Sequence, residues 1–226
     1  MNRIIERVVV GALQENCYLY AVNDGEVQAR KSRPCVVVDP GDEAELIIAR
    51  LKKLNWAPRY VLFTHGHYDH VSGLSGLIAS CKNGELGNCV PKIAIHKKDA
   101  HYLGKEALAS HRASLGVAGF AADFYIEPLP EPDILYGEGD TFETLTVLHT
   151  PGHTEGGVCL YDAEAGVLFT GDTLFKGDFG RTDLPGGDHN QLRESLKRLL
   201  ALKGETVVYP GHEESTTIKG EAQLQF

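Results

Sequence analysis

Val61-Leu62-Phe63-Thr64-His65-Gly66-His67-Tyr68-Asp69-His70 is the most informative stretch of this 226-residue chain. Three apolar residues that read as a buried strand run directly into three histidines and an aspartate. Packing alone does not account for this cluster, because every buried imidazole or carboxylate needs hydrogen-bond partners of its own. A cation satisfies them together. His65 and His67 are two residues apart, so an extended segment leaving the strand points both the same way. Asp69 and His70 fall where the chain turns into the next helix, and one short segment can therefore feed two adjacent cations. Gly66 either leaves room for the backbone between them or is an ordinary turn glycine.

The same context recurs further along. Leu145 to Leu148 leads to Pro151-Gly152-His153, Val167 to Phe169 to Gly171-Asp172, and Val207 to Tyr209 to Pro210-Gly211-His212. Ligands of open α/β sheets gather beyond the carboxyl ends of strands, so four such ends can converge on one rim. Around them the chain predicts strands at Ile4 to Val10, Cys17 to Val22, Cys35 to Val38, Val61 to Phe63, Ile93 to Ile95, Leu145 to Leu148, Val158 to Tyr161, Val167 to Phe169 and Thr206 to Tyr209. Helices are expected over Glu43 to Leu54, over Val71 to Cys81 and through Leu192, Leu196 and Leu199. Strands alternating with helices indicate an α/β fold. No linker divides residues 1–226, which read as a single domain. Lys82 to Pro91 and Gly104 to Phe124 fit no regular element; the second reads as a connector, or as a helical cover over a site.

The net charge of -9 argues against a surface for nucleic-acid phosphates. The basic run Arg30 to Arg33 reads as a solvated loop. Five cysteines without a CxxC pair do not suggest a disulfide framework. Met1 to Gly11 mixes charged with apolar residues, unlike a signal peptide, and no apolar run approaches the ~20 residues of a spanning helix. A cytoplasmic protein, bound to neither nucleic acid nor membrane, is expected; oligomeric state is not legible.

Together these residues resemble the metallo-β-lactamase superfamily, over nearly the whole chain and in its glyoxalase II-like branch. The family's HxHxDH motif stands at His65, His67, Asp69 and His70, and its later ligands at His153, Asp172 and His212. The resemblance implies an αββα sandwich with the site between sheet edges. It implies that His65, His67 and His153 hold one divalent metal ion, that Asp69, His70 and His212 hold another, and that Asp172 bridges them. Zinc is the expected metal, with iron or manganese as alternatives. Flavodiiron relatives carry an acidic residue where His67 stands, and many lactamases a cysteine in the second site.

Asp172-Thr173-Leu174-Phe175-Lys176-Gly177-Asp178-Phe179-Gly180-Arg181-Thr182-Asp183 is similar to the matching stretch of glyoxalase II-like hydrolases and of persulfide dioxygenases. Arg181 falls where hydroxyacylglutathione hydrolases have a lysine that contacts glutathione, which implies substrate binding; its other reading is an ion pair to Asp178 or Asp183. Those hydrolases also carry a helical extension and a tyrosine where Glu214 stands. This chain ends at Phe226 and is similar to the compact bacterial members of the branch. Asp39 matches a family position near the metals and either orients a ligand or serves a turn and helix entry. Asn16 shares a family context without an assigned role, Cys159 reads as facing the core, and His96, His101, His111, His149 and His189 read as surface or packing residues.

The function implied is hydrolysis of a small-molecule thioester by a hydroxide shared between two cations about 3.5–4 Å apart, with Asp69 and Asp172 taking part in catalysis. A thiolate leaves without a strong acid, so no separate general acid is needed. A mononuclear iron persulfide dioxygenase on the same fold is the first alternative, and a non-catalytic metal- or partner-binding protein the second.

Overall fold

The computed structural model describes residues 2–23, 32–87, 90–119 and 127–226. Arg30 and Lys31 of the basic run, Cys89, and the last residues of the Gly104 to Phe124 segment lie outside these. Among the described residues the strands form two six-stranded sheets. The first comprises β1 (Asn2–Val10), β2 (Glu15–Asn23), β3 (Arg33–Val38), β4 (Trp56–Leu62), β5 (Lys92–His96) and β6 (Ile134–Tyr136), in that spatial order. Its β1–β3 strands are antiparallel, and β3 to β6 run parallel. The second sheet runs β12 (Thr216–Thr217), β11 (Val207–Pro210), β10 (Val167–Gly171), β9 (Val158–Asp162), β8 (Leu145–His149) and β7 (Thr141–Phe142), with β10 and β11 its one parallel pair.

Strand alternation divides the core into three layers. Cys17, Leu19, Val37, Val61 and Ile93 of the first sheet pack against Ile47 and Leu51 of α1 (Ala44–Leu54) and Leu74, Leu77 and Ile78 of α3 (Leu74–Lys82). Their neighbours Tyr18, Tyr20, Val36, Val38 and Leu62 face the opposite way, onto Leu145, Val147, Leu160 and Phe169 of the second sheet. The outer face of that sheet, through Cys159 and Leu168, packs on Leu192, Leu196 and Leu199 of α5 (His189–Leu200). The layers run helix, sheet, sheet, helix, which is the expected αββα sandwich. The segments buried on both faces, such as Val36 to Val38, Val61 to Phe63 and Val167 to Phe169, read as unbroken apolar runs, and this is why the sequence revealed them.

Four expectations need correction. The helix expected over Val71 to Cys81 is two helices, α2 (Tyr68–Val71) and α3, parted at Ser72 and Gly73. Gly73 donates its N–H to Pro40 O at 3.0 Å there, a close approach that interrupts the apolar spacing. β4 begins at Trp56 rather than Val61, because Pro58 and Arg59 break its apolar run at a register shift in the β3–β4 pairing. The Gly104 to Phe124 stretch, read first as a connector, contains α4 (Ala107–Val117), whose buried face is Ala107, His111 and Ser114, so its helical reading is the one that holds. A face of small and polar residues leaves no apolar stripe to read. The strands β6, β7 and β12 were not expected, and with two or three residues each they are too short to show a period.

Candidate metal centre

All seven ligand-type residues of the sequence motifs meet at one end of the sandwich, in the loops after β4, β8, β10 and β11. His65 and His67 leave the end of β4, and Asp69 and His70 lie in α2. His153 follows β8, Asp172 follows β10, and His212 follows β11. Two sheets are needed to assemble them, and hydrogen bonds join the sheets at this rim. Val158 N donates to Thr64 O at 2.8 Å, and Asn16 N donates to Gly211 O at 2.7 Å.

Donor atoms of His65, His67 and His153 lie within 4.8 Å of one another, as do those of Asp69, His70 and His212, and those of His65, His70 and Asp172. Asp172 stands between the first two sets. Its Oδ1 is 3.3 Å from His70 Nε2, and its Oδ2 is 3.6 Å from His153 Nε2 and 3.7 Å from His212 Nε2. His212 Nε2 is also 3.3 Å from Asp69 Oδ2.

The opposite edges of the rings decide which nitrogen faces the centre. His153 Nδ1 donates to Arg181 O at 2.7 Å and His212 Nδ1 to Leu13 O at 3.1 Å, since a carbonyl only accepts. His70 Nδ1 donates to Asp39 Oδ2 at 3.1 Å. The Thr64 hydroxyl gives its proton to the same carboxylate at 2.5 Å, and so accepts from His65 Nδ1 at 3.2 Å. In each of these four rings Nε2 is then the nitrogen that faces the centre. His67 meets the set differently, with its Nδ1 2.8 Å from His153 Nε2, a separation that a shared proton or cation must explain.

His65 Nε2, His70 Nε2 and Asp172 Oδ1 face the centre and are buried without a hydrogen-bond partner; His67 Nε2 is also unpartnered, on the far edge of a ring whose Nδ1 faces His153. Such a concentration of orphaned polar atoms is costly unless a cation completes it, and imidazole with carboxylate suits zinc or iron. The residues fit a metal centre. Burial, reinforced by neighbouring imidazoles, pushes His67 down to about 3 and His65 well below its ordinary value, so both offer a lone pair at neutral pH. Burial also opposes charging His70, but the Asp172 and Asp69 carboxylates outweigh it and hold His70 well above the usual range. Asp172 is held well below the carboxylate range, because His70 outweighs the effect of burial.

Asp39, at a positive φ of 49°, serves the centre rather than helix entry, for Glu43 occupies the N-cap of α1. Asn16 braces the last ligand loop, where its Nδ2 donates to Pro210 O at 3.0 Å and Glu213 O at 2.9 Å, bracketing His212. Arg181 forks onto Asp183 with two bonds of 2.7 Å while lining a cleft of about 130 Å³ beside His67, His153 and Asp172. Leu13, Leu115 and Leu184 form apolar walls of that cleft, so α4 contributes to the site. Glu214 pairs with Lys176 at 3.1 Å. His96 stacks on His149 with ring centroids 4.3 Å apart, and His111 binds Tyr102 O; neither joins the centre.

Two buried carboxylates beside the centre escaped the sequence reading. Glu15 lies 3.8 Å from His70 Nδ1, with both oxygens lacking a hydrogen-bond partner, and burial pushes its carboxyl well up. Asp99 is the other. Both stand among polar residues in the sequence, and no local pattern separates them from solvated acids.

The family model for the metallo-beta-lactamase superfamily matches residues 10–212. The hydroxyacylglutathione hydrolase GloC of Haemophilus influenzae is 35% identical over 219 residues, covering 96% of this chain and 94% of its own. The crystal structure of TTHA1623 in a di-iron-bound form superposes with a TM-score of 0.79 at 36% identity, over 97% of this chain and 98% of that one. The BLEG-1 B3 metallo-beta-lactamase superposes with a TM-score of 0.77 at 32% identity, over 97% of each chain.

Proposed function

The chain belongs to the metallo-beta-lactamase superfamily, and on that premise we propose that it is a binuclear metal-dependent hydrolase of thioesters. The observation that carries this reading is the convergence of two ligand triads on Asp172, where His65 Nε2, His70 Nε2 and Asp172 Oδ1 are buried without a hydrogen-bond partner. His65, His67 and His153 would hold one divalent cation and Asp69, His70 and His212 the other, with Asp172 between them. Cations held there supply Lewis acidity and acidify a water. The protein orients the ligands through Asp39, Leu13 O and Arg181 O, and the leucines of the cleft exclude water from one side.

Zinc suits hydrolysis because it has no redox chemistry; iron is the alternative, and TTHA1623 is a relative with a di-iron form. A thiolate, with a parent thiol pKa of about 8.5, departs without a proton donor, in keeping with a cleft in which Asp69 and Asp172 are the carboxylates among the described lining residues. The likeness to GloC supports a thioester substrate. Hydrolysis of β-lactams is a second reading, supported by the 32% identity to BLEG-1. The buried cysteines Cys17 and Cys159 fit the reducing cytoplasm, and residues 1–226 are proposed to act as one domain.

Elemental analysis and a substrate panel test the reading. The protein should carry two equivalents of metal and hydrolyse S-lactoylglutathione and a small neutral thioester ahead of a lactone, a phosphodiester and a β-lactam. Asp172→Asn should abolish turnover, since a neutral amide bridges two cations poorly. Full metal content without thioester turnover rejects the substrate class, and oxygen uptake on a persulfide would replace hydrolysis with dioxygenation.

A further inference from the structure

Asp99 lies just beyond β5 and is fully buried, although it belongs to neither ligand triad. Its Oδ2 accepts from Gly66 N at 3.0 Å and Thr154 Oγ1 at 2.7 Å, and its Oδ1 accepts from Gly156 N at 2.7 Å. Gly66 separates His65 from His67, and Thr154 follows His153. One carboxylate therefore grips both loops that carry the all-imidazole triad. The fit is close: a Cβ on Gly156 would stand 2.5 Å from Asp99 Oδ1, and one on Gly66 would stand 2.2 Å from the Tyr102 ring.

The second triad has no such link to Asp99. Its His212 loop is gripped by Asn16, and it contains a carboxylate of its own in Asp69. The first triad consists of imidazoles alone and contains no carboxylate. Burying a carboxylate is costly unless its acceptors are filled, and three donors drawn from the two loops fill those of Asp99. Resting on the binuclear reading above, we infer that Asp99 is the positioning residue of the His65, His67 and His153 triad. It holds the two loops at the separation that brings His67 Nδ1 within 2.8 Å of His153 Nε2, and thereby controls how tightly that one triad retains its cation.

Asp99→Asn keeps the shape but supplies one acceptor oxygen and an N–H donor, which leaves at least one of the three partners unmatched. Wild type and variant are equilibrated against graded chelator, and metal per chain is counted alongside the thermal unfolding midpoint. One equivalent should be released with about 10–100-fold weaker affinity, the range for partners of metal ligands, while the other is held as in wild type. In a His212→Ala background Asp99→Asn should weaken the remaining cation by the same factor. In a His67→Ala background it should change nothing further.

A merely structural role would release both equivalents together as the midpoint falls, and that result, or unchanged retention, overturns the inference. Should Asp99→Asn fail to fold, Thr154→Val removes a single donor and should show the same selective release to a smaller degree; unselective release from it also overturns the inference. Wild type that never holds two equivalents would reject the binuclear reading itself.

Discussion

The side chain and main chain of Arg181 do different work. The guanidinium is forked onto Asp183, while the carbonyl oxygen fixes the tautomer of His153. With the side chain half exposed, the ion pair adds little stability, so its position beside the cleft is its more consequential property. Arg181→Ala should leave metal content unchanged, because the carbonyl remains. It should raise KM for a glutathione thioester, with about 1–3 kcal/mol lost in kcat/KM, and spare a small neutral thioester of the same acyl group. Steady-state kinetics on the pair decides, and equal impairment of both would confine Arg181 to holding its loop. The motif made Arg181 visible in the sequence. Asp99, after Lys97 and Lys98, reads as part of a solvated charge run, and its burial depends on Thr154, 55 residues away.

Helix α5 was legible for a reason that α4 lacks. Leu192, Leu196 and Leu199 place bulky apolar groups on one face, all fully buried against the second sheet. Leu196→Ala should cost about 3 kcal/mol, measured as a lower denaturant midpoint with an unchanged slope. The same helix shapes the metal rim, since Ser195 Oγ donates to Pro151 O at 2.8 Å and Asp188 N to Gly152 O at 2.8 Å. The cleft face of α4 carries Ser114 and Leu115, while Leu108 and Val117 face solvent. Its position over the cleft owes nothing to an apolar stripe of its own.

The two sheets are also tied by a buried ion pair, between Arg3 Nε of β1 and Asp162 Oδ2 of β9 at 2.7 Å. Tyr20 donates to the same oxygen at 2.6 Å, as does Thr144. Burial would raise the Asp162 carboxyl, but the hydrogen bonds from Arg3, Thr144 and Tyr20 outweigh burial and hold it well below the carboxylate range. Because the folded value is the lower one, this tie contributes fully above the unfolded pKa of ~3.9 and is lost as pH falls below it. Asp162→Asn should cost about 3 kcal/mol near neutrality, the scale for breaking one side of a buried pair. The difference in unfolding free energy between wild type and variant should shrink as pH is lowered from ~6 to ~3. A constant difference across that range would remove Asp162 from the acid response. None of the helices among the described residues is long and apolar enough to cross a membrane.

Residue chemistry and short-range periodicity were enough to read the apolar strands, an α/β core and the seven candidate ligands, while the αββα sandwich was implied by the family resemblance of those motifs. Those signals survive because an apolar run and the residue that ends it lie within one local segment. Tertiary structure alone decided which nitrogen of each histidine faces inward, since that depends on carbonyls and carboxylates such as Leu13 O and Asp39 brought from distant segments. It likewise decided that Asn16 and Asp99 clip opposite loops, and that α4 lines the cleft. A hydrogen bond such as Asn16 to Pro210 spans 194 residues, and no local pattern encodes a partner that only the packing of two sheets brings within reach.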